Sequence, residues 1–478
     1  FNELLLYVFT GIFLLILIII FRKSIYRMKY KKKVLFFLLT IVALLTFSCR
    51  KLILNKTANV IMDAFDLWED RPPGTPCTQN TSNGTFENGE LSFDNNHLFC
   101  VNIQMNENDF QIMRNESRFG PDIYDNEGNT ACAALLEYAE QCDVPFPNEY
   151  NWYSANIEID DIEIQNVGIR KKGFLGSIFS PAPSVKIETN RYNQNTSFNL
   201  TNSLTLNNNS QDGTRIWTTL ALKIYELANY PAPRANMANV TINSESFGIY
   251  THIESINDKF LELAFGNSNG HLYEGQLIDF HKDWLPRWDA KTESTDPVGN
   301  PIREICEALE LSDDELVNEL NQHLNIDRFI TFWALEALLA SDDGYCANRN
   351  NFFIYFDPND NNRATFIPWG LDYYGDDNSF DNYLTAELPK RLSRIDETAI
   401  KFNIEMQRLI DDVWDDGQLS SFITNAANQI QTAQNDSQYQ DKLAKLTTWI
   451  LNRKNVIESL LIEGIPRGSD EPLTRCTN

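Results

Sequence analysis

Histidine is scarce, at five residues in 478, and no two of the eight cysteines stand at Cys-x-x-Cys spacing. A structural zinc site needs four such ligands at short intervals, so the chain offers little to build one. Positive charge is also short: Lys and Arg number 40 against 66 Asp and Glu, a net charge of −26. A body this acidic argues against a nucleic-acid backbone as the main partner. It leaves room for divalent cations, and for phosphates only where a metal or local Lys and Arg mediate. No internal repeat is visible. What is present is a folding composition, with 43% hydrophobic, 12% aromatic and 22% charged residues. The length suits two or three domain-sized units.

The first fifty residues stand apart. Residues 4–21 are an apolar run approaching a membrane span, and 22–33 carry seven positive charges. A second apolar run at 34–48 ends at Cys49. Two readings of the leader 1–49 stand side by side. In one it is a helical hairpin anchor with its basic loop in the cytoplasm. In the other, the protein starts at Met28, 34–45 is the apolar core of a signal peptide, and Cys49 is the lipidated residue of a bacterial lipoprotein. Both export the body and hold it at a membrane. Export permits disulfides. Beyond Cys49 the remaining cysteines are 77, 100, 132, 142, 306, 346 and 476, an odd number. Cys77 with Cys100 and Cys132 with Cys142 are the local pairs to expect.

Residues 50–97 are rich in Pro, Gly and Asn and read as a polar tether. A first strand is expected at 98–105 and a short helix near 107–114. From 155 the alternation Ile157, Ile159, Ile162, Ile164, Val167, Ile169 has the period of half-buried antiparallel strands. A basic glycine turn follows at 170–177, then a strand at 184–189. Helical spacing marks 214–229, with Thr214 as its N-cap, and a hairpin spans 238–254. Further on come a helix at 258–265, a strand at 270–275 and an inserted loop at 276–301. Ser312 and Glu315 form a capping box. An apolar, buried helix lies at 326–340, a hairpin at 351–368, and helices run from about 384 to 463. The fold class is α+β: an antiparallel β-rich part at 98–254 and a mainly helical part at 255–478.

The chemistry concentrates in SDDGYCANRNNFFIYFDPNDNNRATFIPWGLDYYGDD, residues 341–377. A buried helix ends at Asp343, Asn348 lies five residues on, and a hairpin leads to Asp372. In protein kinases this order gives a catalytic Asp, a metal-binding Asn and a second metal-binding Asp. Phosphoryl transfer needs hard oxygen ligands on opposed loops to hold the metal, and a carboxylate near the attacking hydroxyl. Alone, an Asp-x4-Asn spacing is weak. Adjacent lysines on a turn, such as Lys171 and Lys172, are more often a solvated edge than a site. A lysine such as Lys186 in an alternating strand usually faces solvent.

The order of elements adds weight. VGIRKKG at 167–173, PSVKIE at 183–188, FGIYTHIESINDKFL at 247–261, GHLYEG at 270–275, DGYCANRNNFFIYFD at 343–357 and FIPWGLD at 366–372 together resemble the CotH kinase family. The likeness runs over about residues 98–465 and implies an atypical protein-kinase fold with ATP between two lobes. It implies Asp343 as catalytic base, with Asn348 and Asp372 as ligands of Mg2+ or Mn2+; Asn351 competes with Asn348. Lys186 would bind the α- and β-phosphates, Glu254 would sit at the nucleotide hinge, and the turn of Arg170, Lys172 and Gly173 would close over the nucleotide. The chain departs from the family at Gly370, where an acid is usual. It departs again in the 214–229 helix, which has Thr218 near the place of a lysine-pairing Glu. The expected function is transfer of the ATP γ-phosphoryl to Ser or Thr of exported or surface proteins. The alternative is an inactive surface-anchored adhesin, scaffold or pseudokinase on the same fold.

Overall fold

The structure, a computed structural model, describes residues 74, 77, 86–87, 90–118, 142–148, 150–174, 180, 182–192, 203–292, 301–375, 379–433, 436–471 and 473. The chain divides into Phe1–Phe65 and Asp66–Asn478. The first unit, with both leader readings and Cys49, lies outside the described residues, as do Cys132, Cys476, residues 175–179 of the glycine turn and most of the tether. Among the described residues, no helix is long and apolar enough to cross a membrane.

The expected alternation becomes strands β1 (Phe99–Met105), β2 (Tyr153–Ile159), β3 (Ile162–Lys171), β4 (Val185–Glu188), β5 (Ser203–Asn207), β6 (Ala235–Ile242) and β7 (Glu245–Ile253). They close into a barrel in the order β1-β2-β3-β4-β5-β7-β6. The antiparallel sheet expected from sequence is thereby corrected on one point, since β6 pairs with β1 in parallel. Six successive antiparallel pairings leave the first and seventh strands pointing the same way, so closing an odd ring requires one parallel seam. Closure leaves no exposed edge. Val101, Ile103, Ile157, Ile169, Val185, Ile187, Leu206 and Val240 fill the interior. The β6–β7 hairpin turns at Asn243 (φ +48°) and Ser244 (φ +69°), the double left-handed turn that matches strand twist.

Helix α1 (Glu107–Asn115) follows β1, and helix α2 (Trp217–Leu227) lies between β5 and β6. Thr214 is not the cap of α2: the N-cap position is Ile216, which makes no side-chain capping bond, and the Asp212 carboxylate accepts the Trp217 N–H at 2.8 Å and the Thr214 hydroxyl at 2.6 Å. A carboxylate outcompetes a hydroxyl for the unpaired N–H groups of a first turn. After α3 (Asp258–Phe265), strands β8 (His271–Gly275), β9 (Asp289–Ala290), β10 (Phe352–Asp357) and β11 (Arg363–Pro368) form a second sheet, ordered β9-β8-β10-β11. The stretch expected as a loop at 276–301 thus contributes an edge strand and a short 3-10 helix, Lys282–Arg287.

Helices α4 (Pro301–Ala308), α5 (Asp313–His323), α6 (Ile326–Leu338), α7 (Tyr345–Asn348), α8 (Glu387–Leu392), α9 (Asp396–Arg408), α10 (Asp416–Ile430) and α11 (Tyr439–Glu463) complete the order. Ser312 bonds the Glu315 carboxylate at 2.9 Å but caps no N–H of α5 through its side chain. Helix α6 is apolar on nearly every side and accordingly buried on nearly every side. Phe366 of β11 packs on Phe329, Tyr345 and Phe352 with ring centroids 5.0, 4.9 and 5.3 Å away. This aromatic knot anchors the loops on either side of the second hairpin. Cys77 and Cys100 form a disulfide, Cys142 is disulfide-bonded, and Cys306 and Cys346 are free and buried.

Candidate functional site

The outer face of the barrel supplies the basic half of the site. Alternation sends Ile169, Lys171, Val185 and Ile187 inward and Arg170 and Lys186 outward. Arg170 lies opposite Lys186, and Lys186 opposite Thr205, so the three form one row across the strands. Lys172, one residue beyond β3, stacks over Trp369 at 5.7 Å. Its neighbour Lys171 serves the barrel instead, its Nζ donating to the carbonyls of Arg114 and Glu116 at 2.6 and 3.0 Å. Burial pulls the Lys171 pKa down to about 7, in keeping with a structural lysine inside the barrel. Gly173 takes φ +88°, and its carbonyl accepts the Tyr150 hydroxyl at 2.9 Å.

The acidic half comes from two loops that the aromatic knot holds in place. Asp343 sits in the turn between α6 and α7. Asn348 donates to its Oδ1 at 2.6 Å, Asn350 to the same oxygen at 3.2 Å and Asn351 to Oδ2 at 2.7 Å. Both Asn348 and Asn351, the two competing positions, therefore reach Asp343. Asp372 follows β11 and accepts from Asn207 at the end of β5 at 2.9 Å. Thr218 stands where the helix acid was expected, and its hydroxyl donates to the Leu371 carbonyl at 3.0 Å. The first turn of α2 thus rests on the Asp372 loop without offering a charge.

Burial raises the Asp343 pKa, three amide donors oppose the shift, and the charge of Asp372 adds to it. Burial raises Asp372 as well, against Lys172 and Asn207, with Asp212 adding to the rise. The cations move the other way. Lys172 is lowered by burial and by the nearby Lys186 and Arg118, despite Asp372 and Glu274. Lys186 is lowered by burial, Arg170 and Lys291, against Glu188 and Glu274. Cations crowded together and carboxylates crowded together gain from bound charge of the opposite sign. The donor set of Asp372 and the neighbouring amide carbonyls is all oxygen, which suits Mg2+ or Mn2+. The cations Arg170, Lys186 and Lys172 suit a polyphosphate. Among the described residues, no cluster of three or more His, Cys, Asp or Glu is arranged as a metal cage. A cation here would draw on amides and on the nucleotide as well as on carboxylates, as Mg2+ sites commonly do.

Of the residues singled out from sequence, Asp343, Asn348, Asn351, Asp372 and Lys172 come together, with Arg170 and Lys186 on the adjoining strand face. Glu254 does not join them. Its carboxylate accepts from Arg234 Nε at 3.1 Å and Nη2 at 2.5 Å. It lines a cleft of about 1310 Å3 beside Arg234, Tyr230 and Arg328, which none of the other site residues lines. Two contributors went unnoticed in the sequence. Asn207 opens a run of three asparagines at the end of β5, and Glu274 lies within GHLYEG, where Lys291 meets it at 2.5 Å.

Opposed loop carboxylates facing a basic strand surface are the donor set of the kinase-like class of α+β proteins. The chain belongs to the CotH kinase protein family, whose model matches residues 169–457. It is 28% identical to invasin CotH3 of Rhizopus delemar over 193 residues, covering 36% of this chain and 31% of that one. Invasin CotH7 of the same organism is 25% identical over 170 residues, covering 33% of this chain and 28% of that one. The chain thus spans about a third of the length of the curated relatives it matches.

Proposed function

We propose that the protein transfers the γ-phosphoryl group of ATP, with Mg2+ or Mn2+, to Ser or Thr hydroxyls of exported or surface proteins. The observation that supports this most is the convergence of Asp343, Asn348, Asn351 and Asp372 opposite Lys172, Lys186 and Arg170. In this reading Asp343 accepts the proton of the attacking hydroxyl. Its carboxylate is oriented by three amides, and its raised pKa brings it nearer to the working pH. Asp372 and the side-chain carbonyl of Asn348 or Asn351 hold the cation, which when bound supplies charge neutralisation across the phosphate oxygens. Lys186, Arg170 and Lys172 bind and orient the phosphates, and the turn that begins at Gly173 closes over them. Glu254 keeps the hinge between a nucleotide lobe, 98–254, and a catalytic lobe, 255–478. Its carboxylate is held by Arg234 of the same lobe. The leader, by Cys49 or by its apolar runs, holds the body at an extracytoplasmic membrane face.

Calorimetry with ATP and Mg2+ or Mn2+ tests the reading. The wild type is expected to bind ATP only with the metal, and Asp372→Asn to lose the metal dependence. Equal ATP binding with and without metal, or none, contradicts it.

A second reading, an inactive surface protein on the same fold, is supported by two observations. The relatives carry the name invasin, and Thr218 stands where a lysine-pairing acid would be. In that case the protein is a surface-anchored adhesin, scaffold or pseudokinase and transfers no phosphate.

A further inference from the structure

The interior of α6 contains one acid. Glu336 is 1% exposed, between Leu335 and Ala337, with Trp333 one turn away. A buried carboxylate is unfavourable unless it is paired or hydrogen-bonded. Among the described residues Glu336 has no ion-pair partner. Its two oxygens instead accept main-chain N–H groups, Oε1 from Tyr345 at 2.9 Å and Oε2 from Cys346 at 2.7 Å. Its own carbonyl accepts the Ser341 N–H at 2.9 Å. One residue therefore ties down 341, 345 and 346, which bracket Asp343 on both sides.

Gly344 completes the fit. A Cβ there would lie 2.2 Å from the Glu336 Oε1. Its φ of −82° is open to any residue, so what the position demands is space and not backbone freedom. The Asp343-Gly344 pair is thus cut to let a buried carboxylate reach the next two N–H groups.

The geometry points to Glu336 as the positioning residue of the Asp343 loop: its carboxylate fixes where Asp343 and Asn348 stand. The inference rests on the proposed function for what the loop does, but not for how the loop is held. Glutamine at 336 offers one oxygen and one NH2 where two oxygens accept, so one of the two N–H groups is left facing a donor. Alanine at 344 leaves the charge intact and disturbs only the fit.

The test compares full-chain wild type, Glu336→Gln and Gly344→Ala by amide hydrogen exchange without nucleotide, then by label transfer from ATP with Mg2+. Both variants are expected to exchange faster across 341–348 while α9 and α11 keep their protection. The transfer rate is expected to fall roughly tenfold or more. Unchanged exchange at 341–348 in both variants overturns the inference, whatever the nucleotide does. So does faster exchange throughout the protein, which marks Glu336 as a general stability residue. Loosened loops with an unchanged transfer rate overturn it too. If the loop loosens as expected but the wild type transfers no label, the proposed function has failed while Glu336 still holds the Asp343 loop.

Discussion

Gly370 stands where the family pattern has an acid, and its backbone accounts for the departure. It takes φ +57°, and a Cβ there would lie 2.6 Å from the Asn351 side-chain carbon. Asn351 is one of the amides that hold Asp343, so in this chain the glycine makes room for a ligand of the neighbouring carboxylate. Gly370→Asp is expected to destabilise the protein by about 1–3 kcal/mol, through left-handed strain and the collision. It should not strengthen metal-dependent ATP binding. Urea unfolding beside calorimetry checks both, and a stable variant that binds ATP more tightly contradicts this role for the glycine. At this scale the sequence was legible wherever the residues that meet are close together in the chain. Asp343, Asn348 and Asn351 fall within one turn and a loop, so their spacing carries the geometry. Asn207 was not legible because only barrel closure brings β5 against the Asp372 loop. Glu336 left a trace, a lone acid inside an apolar helix, that spacing alone could not connect to Tyr345 and Cys346.

Elements were legible where one face is buried and one is not, because period then reports burial. The helices at 107–115, 258–265 and 326–338 and the hairpins after 235 and 351 follow from their patterns. The parallel seam between β1 and β6 was hidden, since strand direction within a ring depends on how many strands close it. Strand β7 yields a pH prediction. His252 is buried, its Nδ1 lies 2.9 Å from the Asn236 Oδ1, and Phe93 stacks on it with centroids 4.8 Å apart. Burial, aided by Arg234, lowers its pKa from 6.5 to about 3. A base with a depressed folded pKa binds more protons unfolded than folded between those values. Its stabilising contribution is therefore present above pH 6.5 and is lost as the pH falls toward 3. Against His252→Gln, the wild type is expected to lose about 1.4 kcal/mol per pH unit below 6.5, read by urea unfolding at pH 7, 6 and 5. Parallel pH curves for the two proteins contradict a buried neutral histidine. Helix α11 gives a second element-scale expectation. Arg453 donates from Nε to the Leu338 carbonyl at 2.7 Å and from Nη2 to the Ala337 carbonyl at 2.6 Å. It thereby satisfies the last carbonyls of α6 just before the Asp343 loop. Arg453→Met is expected to cost about 3 kcal/mol, since two buried acceptors lose a charged donor. A loss below about 0.5 kcal/mol by the same unfolding measurement would show that α6 ends independently of α11.

For the whole molecule, the decisive feature is a contrast of charge. A chain of net charge −26 gathers Arg170, Lys172, Lys186 and Lys291 on and beside one barrel face and sets two carboxylates opposite them. Local pairs account for Lys291, which Glu274 and Asp289 each meet at 2.5 Å, but not for Lys172 and Lys186, which burial and mutual repulsion lower even with Glu188, Glu274 and Asp372 nearby. A bound polyphosphate with its cation would relieve both sides at once. The most direct measurement is transfer of label from radiolabelled ATP to protein in the presence of Mg2+ or Mn2+, with Asp372→Asn alongside. Metal-dependent label is expected in the wild type and should disappear in the variant. Equal label in both proteins, or none in either together with no metal-dependent ATP binding, contradicts a phosphoryl-transfer site between these loops and the barrel face.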